Sequence, residues 1–200
     1  MIRIAPLAAN VNDYLERWNH SLSFERGCPR CHAKTALHKH GHYERWAVDG
    51  RRELRIPIQR LRCRYCGVTV SVLPSFISPY QHFLLGLRET ALRLRSAGVA
   101  LCKIAAALFP KDSSGRVRIS RWLKRTLSLR ERLVDGLLHL LMIYDPFYDP
   151  KGLPEEPITQ IIALAYLLAK ACRVYLGAQT PPVSPLEQLN IQLSSAGLWI

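Results

Sequence analysis

Alternating apolar and polar positions in the first half of the chain predict a small antiparallel sheet. Residues 38–48 and 53–62 are rich in aromatic, β-branched or alternating side chains, and Asp49-Gly50 lies between them. A period of two is typical of strands, and an Asp-Gly pair favours the turn of a β-hairpin. Residues 68–72 alternate in the same way and predict a third strand.

The apolar pattern changes to a helical period beyond this predicted sheet. Pro74 and Pro79 predict a short linker between the two regions. Residues 82–97 and 99–109 then have the apolar spacing of two helices. A third helix is predicted to begin near the Asp112-Ser-Ser segment, whose side chains are suited to cap it, and to continue through Arg125. Its predicted packed face consists of Ile119, Trp122, Leu123 and Leu127.

The carboxyl-terminal third is also predicted to be helical. Residues 133–144 and 158–175 are strongly apolar, and Ser184-Pro-Leu-Glu187 has the pattern of a capping box that opens a short last helix. Helices this apolar must bury one face, either against the preceding helices, which is the favoured interpretation, or in a homodimer interface. Cys102 and Cys172 lie within helical patterns and are predicted to be buried, unreactive thiols.

Neither a membrane span nor a secretion signal is predicted. The longest apolar stretch, residues 158–169, is much shorter than the roughly 20 residues that cross a bilayer. The amino terminus lacks a basic segment followed by a long apolar one, so a cytoplasmic protein is expected.

The positive charge is concentrated in two adjacent blocks. The net charge is +13, and residues 28–66 hold ten basic against three acidic side chains, while residues 82–132 hold twelve against three. The last 68 residues are acidic overall. Such clustering favours a polyanionic partner, because each neutralised phosphate releases condensed counterions. DNA is the expected partner, RNA is an open alternative, and no small-molecule substrate is predicted.

Four cysteines form two CxxC pairs, Cys28-Pro-Arg-Cys31 and Cys63-Arg-Tyr-Cys66, separated by 31 residues. Two matched pairs in a reducing compartment are typical of a structural zinc site, in which four thiolates leave no position open for a catalytic water. Gly67 and Pro29 suit the tight turns that this geometry requires. The predicted zinc ligands are therefore Cys28, Cys31, Cys63 and Cys66, and the enclosed strands are interpreted as a zinc ribbon.

Several histidines leave an alternative open for this site. His32 follows the first pair, and His38, His40 and His42 alternate along the first predicted strand and so would share one face. They are able to replace a cysteine as ligand or to contact phosphate, although an exposed polar strand face is the favoured interpretation.

The third predicted helix has a basic face as well as an apolar one. Arg118, Arg121 and Arg125 are spaced i, i+3 and i+7. A basic helix that follows a short helix is typical of a helix-turn-helix, in which arginine pairs with guanine or with phosphates. A solvated cationic face is the alternative. The predicted DNA-contacting residues are Arg116, Arg118, Ser120, Arg121, Lys124 and Arg125 of this helix and Arg60, Arg62 and Arg64 of the ribbon.

Several of these motifs also carry a family resemblance over residues 24–130. The first CxxC, the HGHYER strand, the IPIQRLRCRYCG and LPSFISPYQHF stretches and the RISRWLKR helix resemble a group of bacterial zinc-ribbon proteins. These in turn look like the amino-terminal DNA-binding region of insertion-sequence transposases. The resemblance implies recognition of DNA, either element ends or an operator, and it does not imply catalysis, which belongs to a separate domain of transposases.

The predicted fold class is α+β, with a small β zinc ribbon, a helix-turn-helix and an all-α carboxyl-terminal region. The predicted divisions are a helical segment at 1–23, the ribbon at 24–76, the helix-turn-helix at 80–130 and the helical region at 131–200. The predicted function is zinc-dependent, non-enzymatic DNA binding by a regulator or an accessory factor related to mobile elements. Two alternatives stay open, a reduced transposase or nuclease that uses acids such as Asp145 and Asp149, and a protein-interaction module.

Overall fold

A computed structural model describes residues 1–5, 7–18, 27–176 and 184–194 and shows a mixed α+β chain. The described residues form four strands and seven helices. The first half contains β1 (Ile2–Ala5), α1 (Val11–Trp18), β2 (Leu37–Val48), β3 (Glu53–Cys63) and β4 (Thr69–Pro74). The second half contains α2 (Leu85–Ser96), α3 (Leu101–Leu108), α4 (Gly115–Ser128), α5 (Arg130–Tyr144), α6 (Pro157–Leu176) and α7 (Pro185–Ser194). The side chain of Cys172, which was predicted to be buried, lies outside the described residues.

The four strands form one sheet in the order β1-β4-β3-β2. The predicted hairpin is confirmed, since β2 and β3 pair antiparallel and Val48 lies opposite Glu53. A four-residue turn joins them, closed by a hydrogen bond from the Asp49 backbone amide to the Arg52 carbonyl at 3.1 Å. The Asp49 carboxylate also accepts hydrogen bonds from the Arg51 and Arg52 amides at 2.9 and 2.7 Å. Asp49 therefore holds the turn that the Asp-Gly pair predicts.

The prediction of a helical segment at 1–23 is wrong at its start and correct for α1, and residues 6 and 19–23 lie outside the described residues. Residues Ile2–Ala5 instead form β1, which pairs parallel with β4, so that Ile2 lies opposite Ser71. Four residues are too few for a periodicity to show, and the partner strand lies about 70 positions away in the sequence. This strand was therefore not predictable from local pattern.

A bulge interrupts β2 and separates the three alternating histidines. The pairing register with β3 shifts between Lys39 and His42, and Gly41 has a φ of +110°. His38 lies opposite Arg62, whereas His42 packs its ring edge against Trp18 at 5.8 Å between centroids. The prediction that these histidines continue one alternation is therefore wrong, because the extra residue of a bulge changes which face a side chain points to.

The helices share one hydrophobic core, and the sheet has another. Ile119 of α4, Leu137 of α5 and Leu164 of α6 are fully buried in the same apolar cluster. Phe83, Phe109 and Trp122 pack ring to ring in this cluster, with centroids 5.6 to 5.9 Å apart. The favoured interpretation that the carboxyl-terminal helices pack on the preceding helices is thus confirmed.

The predicted linker after β4 is buried rather than exposed. Ser75 and Ser78 are fully buried. Asn190 of α7 donates hydrogen bonds to the carbonyls of Ser75 and Ile77 at 3.2 and 3.3 Å. Arg45 of β2 donates to the carbonyl of Ser78 at 3.0 Å. The segment therefore fixes the sheet to the helices, because its backbone polar groups are satisfied by side chains of both regions.

Two predicted core positions are exposed. Leu127 is 43% exposed, because Thr126 completes the i, i+3, i+4, i+7 row of α4 after Ile119, Trp122 and Leu123. Cys102 is exposed on α3, a short helix in which Ile104 is the buried residue.

Candidate metal centre and nucleic-acid interface

The side chains of Cys28, Cys31, Cys63 and Cys66 converge at one end of the sheet. Their four sulfur atoms lie within 4.8 Å of one another, with Cys28 Sγ 3.6 Å from Cys66 Sγ and Cys31 Sγ 3.7 Å from Cys63 Sγ. A tetrahedral ion with metal–sulfur bonds of about 2.3 Å requires sulfur–sulfur edges of about 3.8 Å. The four thiols that the sequence predicts as ligands are therefore spaced to hold one metal ion.

The two CxxC turns have the same backbone geometry. Cys28 N donates to Ala33 O and Cys63 N donates to Val68 O, both at 3.0 Å. The amide of the third residue in each turn donates to the first sulfur, from Arg30 to Cys28 Sγ and from Tyr65 to Cys63 Sγ, both at 3.4 Å. Each half of the site is thus a copy of the other. We call these turns the first knuckle (residues 28–33) and the second knuckle (residues 63–68).

Each knuckle requires one residue in the left-handed backbone region. Gly67 has a φ of +67° and donates its amide to Cys63 O at 3.2 Å, as the sequence predicted for this glycine. His32 occupies the equivalent place in the first knuckle, with a φ of +58° and a bond to Cys28 O at 3.0 Å. The side chain of His32 is exposed and lies outside the sulfur cluster. The role of His32 is therefore in the backbone of the turn.

Hydrogen bonds from the backbone prepare two of the thiols to ionise. Desolvation raises the pKa of Cys28, but hydrogen bonds from the amides of Cys31 and Arg30 and from the thiols of Cys31 and Cys66 together lower it to about 6. The amides of Cys66 and Tyr65 likewise lower the pKa of Cys63. A cluster of four thiolates concentrates negative charge in a small volume, and a bound cation offsets that charge.

None of the histidines in the described part of the chain joins the cysteine cluster. Among the residues that the structure describes, these four cysteines are the one group of three or more His, Cys, Asp or Glu side chains close enough to hold a metal ion. Asp145 and Asp149 are exposed in the loop between α5 and α6. His38 is half-buried, and its Nδ1 has no hydrogen-bond partner within the described part of the chain.

A basic face runs along the sheet towards the metal centre. The side chains of Arg60, Arg62 and Arg64 alternate and are all exposed, while Leu61 and Cys63 between them are buried. On the neighbouring strand, Ser71 lies opposite Arg60 and Thr69 lies opposite Arg62. The hydroxyls and guanidinium groups on this face match the groups that contact phosphate oxygens in nucleic-acid complexes.

Helix α4 buries one side and exposes a basic one. Gly115, Ile119, Trp122, Leu123 and Thr126 are buried. The other side presents Arg116, Val117, Ser120, Arg121, Lys124 and Arg125, of which Ser120 is half-buried and the others are exposed. Val117, which the sequence analysis did not single out, is 52% exposed although it is apolar. Its exposure became visible only when the buried face of the helix was known.

Arg118 is half-buried and is engaged by residues within the helical region. Its Nη2 lies 2.7 Å from Asp112 Oδ2 and donates to Ser114 Oγ at 3.0 Å. Its guanidinium also covers the ring of Phe83 at 4.2 Å. The structure thus places Arg118 apart from the exposed arginines with which it was grouped, and it ties the loop before α4 to the aromatic cluster.

A second arginine lies deeper between the helices. Arg88 of α2 is 1% exposed, and its guanidinium stacks 5.6 Å from the centroid of Trp122 on α4. Burial, together with the nearby charge of Arg125, lowers the pKa of Arg88 to about 10. The sequence offers no signal for this role, because an arginine in an amphipathic helix is ordinarily exposed.

The cysteine cluster and the contact of the hairpin with α3 lie at different ends of the hairpin. The turn at Gly50 contacts Leu108 at the end of α3, whereas Cys63 lies at the opposite end of β3. An 11-residue strand extends about 33 Å. The thiol cluster thus lies about one strand length away from the contact between the hairpin turn and α3.

In the part of the chain that the structure describes, none of the helices has the length and apolarity needed to span a membrane.

Comparison with known proteins finds a match over part of the chain. A family model described as a domain of unknown function (DUF6431) matches residues 28–106. No curated protein and no solved structure matches the chain. The matched segment includes both knuckles, β2 to β4, α2 and most of α3, and it ends before α4. Over residues 28–106 the chain is therefore similar to this domain, and the relation to transposases stays a prediction.

Proposed function

We propose that this protein is a non-enzymatic DNA-binding protein whose sheet is stabilised by one zinc ion. The observation that carries the proposal is the two-sided character of α4. One side of the helix is buried, and the other presents Arg116, Arg121 and Lys124 to solvent around Ser120. A rigidly held helix with such a face fits the major groove of B-form DNA, which admits an α-helix.

The packing of α2, α3 and α4 supports a helix-turn-helix interpretation. Ile104 of α3 and Ile119 of α4 are fully buried in the same cluster, so α3 supports the inner side of α4. The connection between α3 and α4 covers residues 109–114, which is longer than the three- or four-residue turn of the simplest form. The Asp112 and Arg118 pair stabilises this longer connection. In this interpretation α4 is the recognition helix.

The proposed DNA contacts differ from the predicted set at Arg118 and at Val117. Arg118 is engaged with Asp112 and Phe83, so we assign it a positioning role within the protein. The contacting residues of α4 are then Arg116, Ser120, Arg121, Lys124 and Arg125, with Val117 beside them. An exposed valine suits contact with the methyl group of thymine. Arg60, Arg62 and Arg64, on β3 and the second knuckle, supply contacts to DNA phosphates outside the groove that α4 occupies.

Zinc is the metal that fits the four-thiolate site best. Tetrahedral sites made of four cysteine thiolates select zinc or iron–sulfur clusters, and zinc supplies structural stability without redox chemistry. Among the described residues, the matching knuckles leave no protein ligand other than sulfur in the cluster. The proposed role of zinc is therefore to close the end of the sheet where β2 and β3 meet residues 28–33.

The proposed biological role is that of a regulator or an accessory factor related to mobile elements, in a bacterial cytoplasm. A homodimer remains part of this proposal. Met142 and Ile143 of α5 are exposed apolar side chains, and they offer a contact for a second copy. A two-fold dimer would place two α4 helices on two half-sites of the DNA.

Selection of bound sequences from random duplexes, followed by affinity measurements on variants, tests the proposal. Arg121→Ala should weaken binding to the selected duplex by about 1–3 kcal/mol if Arg121 contacts a base. Lys124→Ala and Lys170→Ala form a matched pair of exposed helical lysines, and we expect only Lys124→Ala to reduce affinity and its salt dependence. Arg118→Ala should lower the free energy of unfolding.

Two results would contradict the proposal. One is an affinity for DNA that is insensitive both to salt and to Arg121→Ala. The other is metal-dependent strand cleavage that Asp145→Ala or Asp149→Ala abolishes, which would favour the nuclease alternative. Protein partners that stay bound after nuclease treatment would favour the interaction module instead.

A further inference from the structure

The second knuckle presents an exposed aromatic ring at the metal end of the sheet. Tyr65 is 76% exposed, although its backbone amide is held by Cys63 Sγ. The same position in the first knuckle is occupied by Arg30, which is also exposed. Because the two knuckles share one backbone geometry, these side chains project from equivalent places beside the metal centre.

The surroundings of Tyr65 are basic over a wide area. Neither residues 27–43 nor residues 54–88 contain an aspartate or a glutamate. Exposed basic side chains near the knuckles are those of Arg30, Lys34, Lys39, Arg60, Arg62 and Arg64. A zinc ion with four thiolates carries a charge of about −2, and these six cations exceed it. The metal end of the sheet therefore matches a polyanion in charge.

This end of the sheet lies far from the contact between the hairpin turn and α3. The hairpin turn contacts the helices at Leu108, and the knuckles lie a strand length of about 33 Å beyond it. That distance is close to one full turn of B-form DNA, about 34 Å. The knuckles are therefore positioned to contact nucleic acid about one helical turn away from the contact between the hairpin and α3.

An exposed aromatic ring surrounded by cations is suited to unpaired bases. In a duplex the faces of the bases are covered by their neighbours, so a side-chain ring contacts a base face only where a strand is single or a base is unstacked. We propose that the two knuckles bind single-stranded DNA, with Tyr65 stacking on a base and Arg30, Arg62 and Arg64 contacting its phosphates. This inference rests on the proposed function, because the duplex bound by α4 is what identifies the strand as DNA.

Binding of the zinc-loaded full chain to a fluorescent oligothymidylate tests the inference. Tyr65→Ala should weaken this binding by about fivefold or more, since stacking on one base is lost. Tyr65→Phe keeps the ring and should retain the affinity. Phe147→Ala is the matched control, because Phe147 is 95% exposed in an acid-bearing loop and its loss should leave the affinity unchanged. The metal content of each variant is measured alongside, so that damage to the knuckle is detected.

The same variants are also measured on the selected duplex, which separates this inference from the proposed function. Tyr65→Ala should leave duplex binding unchanged, and Arg121→Ala should reduce it. An oligothymidylate affinity that Tyr65→Ala leaves intact in the zinc-loaded protein would overturn the inference alone. A tighter, Tyr65-dependent binding of the matching oligouridylate would overturn the assignment to DNA.

Discussion

A Cβ atom on Gly50 would overlap the main-chain carbonyl of Leu108. Gly50 lies in the turn between β2 and β3, and Leu108 is the last residue of α3. This close approach of two backbones joins the sheet to the helices. Gly50 therefore forms part of the turn and also allows the close contact between the hairpin and α3.

Replacement of Gly50 by alanine should lower the free energy of unfolding by more than about 2 kcal/mol. Gly50 has a φ of +89°, so alanine adds backbone strain to the overlap with Leu108. Gly41→Ala is the matched control, because Gly41 has a φ of +110° but the Cβ atom of an alanine there would have no neighbouring atom within 4 Å. Urea denaturation of both variants measures the difference. Equal losses of stability would mean that the contact with Leu108 contributes nothing.

Removal of the metal should unfold the sheet while part of the helical structure remains. The knuckles hold both ends of the segment that contains β2 and β3, whereas α2 to α6 have their own core. Cys63→Ser or a strong chelator is expected to abolish the near-ultraviolet signals of the sheet and to reduce the helical circular dichroism less. Cys102→Ser, at an exposed cysteine of α3, is the control and should bind one zinc ion per chain. A fully folded Cys63→Ser protein without metal would contradict the structural role of zinc.

Substitution of His32 distinguishes a backbone role from a ligand role. His32→Gly should keep the bound metal and change the free energy of unfolding by less than about 1 kcal/mol, because glycine adopts a φ of +58° without strain. His32→Val should lower the free energy of unfolding by about 1–2 kcal/mol, since a β-branched residue is strained in the left-handed backbone region. Metal content and urea denaturation are measured for each variant. Loss of metal from His32→Gly would make His32 a ligand.

The stability of the protein should decrease as the pH rises towards neutrality because of Glu187. Burial raises the pKa of this carboxyl to about 7, and the nearby charge of Glu89 also raises it. The hydrogen bond from Ser75 Oγ at 3.2 Å acts in the opposite direction and lowers the pKa. Glu187 is 7% exposed. The folded state therefore binds the proton more tightly than the unfolded state. The stability that protonated Glu187 gives to the folded state is therefore fully present below the unfolded pKa of about 4.5. It is lost as the pH rises through about 7.

Denaturation at a series of pH values checks this prediction. Between about pH 4.5 and about pH 7 the free energy of unfolding should fall by roughly 3 kcal/mol relative to Glu187→Gln. The glutamine keeps a partner for Ser75 but does not titrate. Glu155→Gln, at an exposed position, is the control and should retain the pH dependence of the original protein. Identical pH profiles for Glu187→Gln and the original protein would show that Glu187 does not titrate in this range.

Local pattern predicted most of the elements of this protein. The hairpin, the third strand and the six helices from α2 to α7 follow from periodicities and turn residues that act over a few positions. The capping box at α7 is an example, since Ser184 Oγ accepts the amide of Glu187 at 3.3 Å, as the motif predicts. The four clustered cysteines were also predictable as candidate metal ligands, because a CxxC turn is a local geometry.

The tertiary structure alone decided which of these residues meet. Three contacts join residues that are dozens of positions apart or more. They are the pairing of β1 with β4, the contact of Gly50 with Leu108, and the hydrogen bond from Asn190 to the buried linker. Such contacts have no periodic signature, because they depend on how whole elements pack.

The arginines of α4 show the same limit at the candidate site. The sequence by itself determined that α4 has a basic face, through the spacing of Arg118, Arg121 and Arg125. Only the fold separated Arg118, which Asp112 and the ring of Phe83 engage, from Arg121, which faces solvent. The physical reason is that periodicity places a side chain on a side of its own helix, whereas its partner depends on the elements that pack around that helix.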